Sequence, residues 1–162
     1  MIKHFFFILA SLLCINLATA EPLQVDIAQT VVKRPLAEGV GPDDAVESMK
    51  LRANMLNIKL VAELPLSKQI KAMGKQARRM EIYQFCDPLT AKKMVEFNID
   101  FAAYLPCRIA LVEDAKGTHW LVMMNLDMLI KGASLDRALK KEAEKVRDIL
   151  NEIMDAGVNG EL

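Results

Sequence analysis

The stretch that most restricts the fold of this chain runs from residue 83 to residue 125, because strand-like runs and two of the three cysteines fall in it. Residues 80–86 alternate in the way a half-buried strand does. Two further runs, 107–113 and 119–124, flank the turn signal at 114–117, and this arrangement predicts an antiparallel hairpin. The stretch therefore predicts the middle of an antiparallel sheet.

A hairpin loop of two or four residues would place one particular set of side chains together on the core face. This set consists of Cys107, Ile109, Leu111, Trp120, Val122 and Met124.

Residues 1–20 have the three parts of a secretory signal peptide, namely Lys3, the apolar run 5–13 and the small-residue site Ala18-Thr19-Ala20. The apolar run is shorter than the ~20 residues that a membrane span requires. We expect cleavage after Ala20, a periplasmic or secreted mature protein, and no membrane span after cleavage.

The mature segment 21–162 has 20 basic and 21 acidic side chains once Lys3 is removed, which gives a net charge of −1. This balance argues against a nucleic acid as the partner. A partner protein, a small ligand and a second copy of the chain all remain open.

The rest of the mature chain predicts a single two-layer α+β domain over residues 21–162, in which helices pack on a mostly antiparallel sheet. Helix and strand signals outside the central stretch are a strand at 23–33, a helix after Asp43 or Asp44, a strand at 59–64, a short helix capped by Ser67, a helix after Asp87-Pro88, and a long amphipathic helix at about 134–155 that begins at Ser134.

Two surfaces are candidates for a partner or ligand. The first is the helix and loop at 67–79, whose basic cluster we interpret as a solvated face; its members are Lys68, Lys71, Lys75, Arg78 and Arg79. The second is the apolar segment 98–106, which we interpret as a buried connection because it has no clear period.

Several segments resemble the DUF302 domain, a prokaryotic family of unknown function. They are Phe85-Cys86-Asp87-Pro88, then 105–114, then Gly117 and Met124-Asn125, and the resemblance extends over roughly 44–135. It implies a small α+β domain with helices against one sheet, and it brings no catalytic residues with it. The family more often has Asn where this chain has Asp87, and either residue can cap a helix.

Enzyme motifs are missing from the sequence, which contains no Gly-rich phosphate loop, no Gly-x-Ser-x-Gly and no His-Glu-x-x-His. After cleavage His119 is the only histidine, and its place at the start of a strand is more typical of a half-exposed strand residue than of a base or ligand. The sequence therefore predicts a non-catalytic domain.

Cys86 and Cys107 are the two cysteines of the mature segment, and in an exported protein such a pair is typical of a disulfide. Neighbouring antiparallel strands would bring them to the same end of the sheet. Two buried inert thiols are the other structural interpretation. A reactive Cys86 is also open, because a helix N-terminus lowers a thiol pKa, although Asp87 opposes this effect.

A soft-metal site is the last candidate. Cys107 near Met124, with His119 as a weaker third ligand, would suit copper or a haem iron. The methionines are dispersed along the chain and most match core positions, where Met is a flexible filler. We therefore predict an exported binding or accessory domain without a cofactor, and a thiol-redox or soft-metal protein is the alternative.

Overall fold

The computed structural model describes residues 24–161, so the predicted signal peptide and its cleavage site lie outside the described residues. The strands are β1 (Val31–Pro35), β2 (Lys59–Leu64), β3 (Met80–Cys86), β4 (Cys107–Glu113) and β5 (His119–Met124). The helices are α1 (Pro42–Met55), α2 (Leu66–Ala72), α3 (Pro88–Phe97), α4 (Leu126–Gly132) and α5 (Arg137–Asn159), and short 3-10 helices occupy Ile27–Thr30 and Ile99–Tyr104.

The five strands form one sheet in the order β1-β5-β4-β3-β2, and every neighbouring pair is antiparallel. A bulge interrupts the pairing of β2 with β3 between Leu60 and Ala62. The predicted α+β fold with a mostly antiparallel sheet is confirmed. Among the described residues, no helix combines the length and the apolar character needed to cross a membrane.

Helices α1 and α5 pack on one face of the sheet, where the core lies. Met49 of α1, Leu121 of β5 and Ile153 of α5 are fully buried in the same cluster. These elements approach one another closely at Gly157, because a Cβ there would lie 2.6 Å from Met49 Cγ and 2.8 Å from Leu121 Cδ1. The long C-terminal helix predicted from its apolar stripe therefore covers one face of the sheet together with α1.

The predicted facing of the β4-β5 hairpin is wrong. Glu113 is opposite His119, so five residues, 114–118, separate the paired positions. Because a one-residue change of register moves every side chain to the other face, Leu111 lies beside Leu121 instead of Trp120. Ile109, Leu111, Leu121 and Met123 face the helices, and Trp120, Val122 and Met124 lie on the opposite face.

Other local predictions also differ from the structure. Residues 27–30 form a 3-10 helix capped by Asp26, so strand β1 begins only at Val31. Residues 99–104 form a second 3-10 helix instead of a buried connection, and Ile99 is 75% exposed. Helix α4 was not predicted at all.

Three predicted helix caps differ from the structure. Helix α1 begins at Pro42 with Gly41 as its N-cap, so Asp43 and Asp44 lie in the first turn and neither side chain caps the helix. The Asp136 carboxylate, not Ser134, accepts the N–H of Leu139 at the start of α5. Helix α2 begins after Pro65 without a side-chain cap, and Ser67 is buried inside it. Asp87 does cap α3, as predicted, through the N–H of Leu89.

Candidate functional site

The sheet face that points away from α1 and α5 is apolar along its centre. Ile82, Ala110 and Val122 lie side by side on this face, one on each of three neighbouring strands. All three are half-buried, whereas their alternating neighbours Tyr83 and Leu121 are buried under the helices. We call this surface the open face.

A groove of about 500 Å³ lies at the end of the open face nearest α4. Ile82, Ala110 and Val122 form part of its wall, and Val31 of β1 and Met128 of α4 also line it. Its volume falls within the range of ~300–1,000 Å³ that is usual for small-molecule sites. The groove is therefore large enough to hold a ligand.

Arg108 is the charged side chain in the wall of this groove. It is exposed, and it lies opposite Gln84 in the pairing of β4 with β3. Within residues 24–161, no carboxylate forms an ion pair with it. A guanidinium in this state can bind a carboxylate through two parallel hydrogen bonds.

A smaller apolar cavity of about 70 Å³ lies behind the groove, under α3 and α5. Five side chains line both spaces and so form the partition between them: Tyr104, Cys107, Leu126, Leu129 and Leu150. Tyr104 belongs to the segment 98–106, one of the two candidate surfaces predicted from the sequence.

Both cysteines are free thiols in the structure, in place of the predicted disulfide. They are on neighbouring antiparallel strands at the same end of the sheet, as predicted, but Cys107 pairs with Phe85. Cys86 is thus one position out of register with Cys107, and successive strand residues point to opposite faces. This register gives the physical reason why no bond joins them.

The thiol pKa values are raised, not lowered. Burial raises the pKa of Cys107 to about 11, and the neighbouring Cys86 adds to the effect. Burial also raises the pKa of Cys86, and the Asp87 carboxylate contributes. The expected lowering of the Cys86 pKa by the start of α3 is therefore outweighed, and both groups are thiols at neutral pH.

The three weak metal candidates do not come together. His119 pairs with Glu113 at the end of β4 that is opposite to Cys107. Cys107 and Met124 both line the groove but occupy alternate faces of the sheet. Over residues 24–161, no group of three His, Cys, Asp or Glu side chains is placed to hold a metal ion.

A polar cleft of about 240 Å³ lies elsewhere, between α1, α2 and the strands β2 and β3. At its base Glu81 is only 5% exposed. The Tyr83 hydroxyl donates to Glu81 Oε2 at 2.6 Å, and Arg79 Nη2 donates to the same oxygen at 3.0 Å. Arg79 also donates to Asp43 at 2.6 Å, so this member of the predicted basic surface belongs to a partly buried network.

The charges in the polar cleft are mutually compensated. Burial raises the pKa of Glu81, but hydrogen bonds from Tyr83 and Arg79 outweigh burial and hold the pKa below its usual value. Burial raises the pKa of Tyr83, and its hydrogen bond to Glu81 raises it further. Lys50 pairs with Glu63 at the rim, at 2.8 Å. We interpret this network as structural, because every acid in it has a cationic partner.

Known proteins similar to this chain show which family it belongs to. The family described as "Domain of unknown function DUF302" matches residues 32–157. The chain belongs to the DUF302 family. The crystal structure of uncharacterized conserved protein DUF302 from Bacillus stearothermophilus has the same fold, with a TM-score of 0.65 at 19% identity over 78% of this chain and 97% of that chain. No curated protein is detectably similar in sequence.

The groove was missed because it depends on the hairpin register and on α4. One sequence signal was nonetheless present: β5 reads His-Trp-Leu-Val-Met-Met, with apolar residues on both faces, and such a strand is typical of a sheet that is covered on both sides. Glu81 gave a second signal, because it alternates in phase with Tyr83 and Phe85 and so had to lie on the core face.

Proposed function

We propose that this DUF302 domain is a non-catalytic binding module that takes a small ligand into the groove of the open face. The observation that supports the proposal is the combination of an apolar wall, a volume of about 500 Å³ and Arg108 in that wall, which no described carboxylate engages. Sites for small molecules are generally concave and apolar, with a few polar groups that fix orientation. The signal-peptide pattern of residues 1–20 supports a role in the periplasm or outside the cell.

Binding of a neutral apolar fluorophore, N-phenylnaphthylamine, tests this proposal on the mature protein. We expect saturable binding that Ala110→Trp weakens by at least about ten-fold, because an indole at residue 110 fills the groove. Val112→Trp is the matched control: Val112 lies on the same strand and face but does not line the groove. Equal affinities for wild type and Ala110→Trp would contradict the proposal.

A second candidate function, the handling of copper(I), is supported by one specific observation. A thiol and two thioethers line the same groove, namely Cys107, Met123 and Met128, whereas Met124, which also lines it, lies on the other face of the sheet from Cys107. Thiolate and thioether ligands select copper(I) over harder ions. The raised pKa of Cys107 opposes metal binding near neutral pH, because the ligand must lose its proton.

Anaerobic titration with copper(I), in competition with a coloured chelator, tests this candidate. We expect Cys107→Ser to abolish binding of one ion and Cys86→Ser to retain it, since Cys86 does not line the groove. An unchanged titration in the Cys107→Ser protein would exclude this site.

A further inference from the structure

We infer that the ligand of the groove is a single-chain amphipathic carboxylate, whose head group binds Arg108 and whose apolar chain lies along Ile82, Ala110 and Val122. The inference rests on the proposed function and names the class of ligand that the groove accepts. It assigns Arg108 as the residue that determines specificity.

Charge complementarity at the groove supports the first half of the inference. Arg108 is exposed, and none of the described carboxylates engages it. Lys33 and Lys59 also lie on the open face, through their pairing with Val122 and Cys86, but neither lines the groove, and Lys33 Nζ lies 4.9 Å from the Trp120 ring centroid. A ligand anion in the groove therefore meets the guanidinium of Arg108, which suits a planar carboxylate.

The continuity of apolar surface supports the second half. Besides Arg108, the groove is lined by Ala110 and Val122 of the open face and by Tyr104 and Leu129 of the partition, and the inner cavity lies behind the partition. The surface is thus charged at one place and apolar beyond it. A molecule with one anionic head and one unbranched apolar chain has the same distribution of polarity.

A single molecule fits this site better than an anionic membrane surface does. Attachment to such a surface relies on clusters of about four to eight basic side chains, whereas Arg108 is the only cation among the described residues that line the groove. The predicted net charge of the mature segment is also slightly negative. The ligand is therefore a dispersed amphiphile and not a bilayer.

Isothermal titration of the mature protein with three probes that share one chain length provides the test. The probes are dodecanoate, dodecanol and dodecyltrimethylammonium, each used below its micelle concentration. We expect the affinity for dodecanoate to exceed that for dodecanol by a factor of about ten or more, in line with the strength of charge-assisted hydrogen bonds. Dodecyltrimethylammonium should bind most weakly.

Single-residue variants test whether Arg108 causes the preference for dodecanoate over dodecanol. Arg108→Gln should bring the affinity for dodecanoate close to that for dodecanol, so that the preference for the carboxylate is lost. Lys33→Gln is the matched control and should keep the preference. Ala110→Trp should weaken binding of both probes, and Val112→Trp should not.

The failures of the two proposals are distinguishable. If none of the three probes binds to the wild type, both the proposed function and this inference fail. If dodecanol binds as tightly as dodecanoate, or if Arg108→Gln keeps the preference, only the inference fails. Sedimentation of the protein with phosphatidylglycerol vesicles, lost in Arg108→Gln, would also overturn the inference in favour of a membrane surface.

Discussion

The two faces of the β-sheet are built from the same strands and from similar apolar side chains, yet they differ in what covers them. Leu121 is fully buried under α1 and α5, and its neighbour Val122 stays half-exposed on the open face. The amphipathic stripe of α5 can cover only one side of the sheet. An apolar strand face without a helical cover is therefore the feature that makes a groove available in this domain.

Introducing a charged side chain on each face in turn should give the largest difference in stability between the two faces. Leu121→Asp should cost several kcal/mol, because it buries an unpaired charge, out of a total stability of about 5–15 kcal/mol. Val122→Asp, on the adjacent residue, should cost less, about 1 kcal/mol, because the half-buried position leaves the carboxylate in contact with water. Urea unfolding of the two variants measures both values, and equal losses would show that the open face is also covered.

Glu81, a buried carboxylate on the covered face, should give the next largest effect. Glu81→Gln should destabilise the protein by about 3 kcal/mol near neutral pH, because it removes a buried partner of Arg79. Glu63→Gln is the control, since the Glu63 side chain is 46% exposed and its ion pair with Lys50 is at the rim. Thermal unfolding of the two variants gives the comparison.

The pH dependence of the same variants sharpens this result. The pKa of Glu81 is lower in the folded protein than its ordinary value of 4.5, so the carboxylate stabilises the fold above about pH 4.5 and this contribution is lost as the pH falls through the folded pKa. The stability of Glu81→Gln should therefore depend less on pH in that range than that of the wild type. Parallel pH profiles would contradict the lowered pKa.

Close packing on the covered face should give the smallest of the three effects. Gly157→Ala should lower the stability by about 1–2 kcal/mol. Overpacking a core costs ~1–3 kcal/mol, which is more than the stability that alanine gains over glycine through helix propensity. Gly132→Ala in α4 is the control, because a Cβ there meets no atom within 4 Å. Chemical denaturation should show a loss for the first variant and no loss for the second.

Local signals in the sequence predicted most of the fold. The alternation in β3 and the stripe of α5 both correspond to elements of the structure, and Asp87 caps the helix it was predicted to cap. The position of a helix N-cap was harder to predict where several polar residues near the start of the helix could each serve as the cap. Ser134 and Asp136 are both good N-cap residues, and only the packing of α5 on the sheet selects between them.

The candidate site was less predictable, because it depends on register and on contacts between distant parts of the chain. A hairpin loop with one more residue than expected exchanged the faces of Trp120 and Leu121. The groove then arises where α4, an element that was not predicted, meets the open face. The ligation role predicted for Met124 beside Cys107 depended on the wrong facing.

The order of the strands leaves β1 and β2 as the two edges of the sheet. Exposed edges can add strands from other chains and so start aggregation. Here β1 is short and ends at Pro35, a residue that has no N–H to donate, and the bulge near Val61 interrupts β2. Both edges are therefore poor templates for polymerisation, and the apolar open face does not make the sheet liable to grow strand by strand into fibrils.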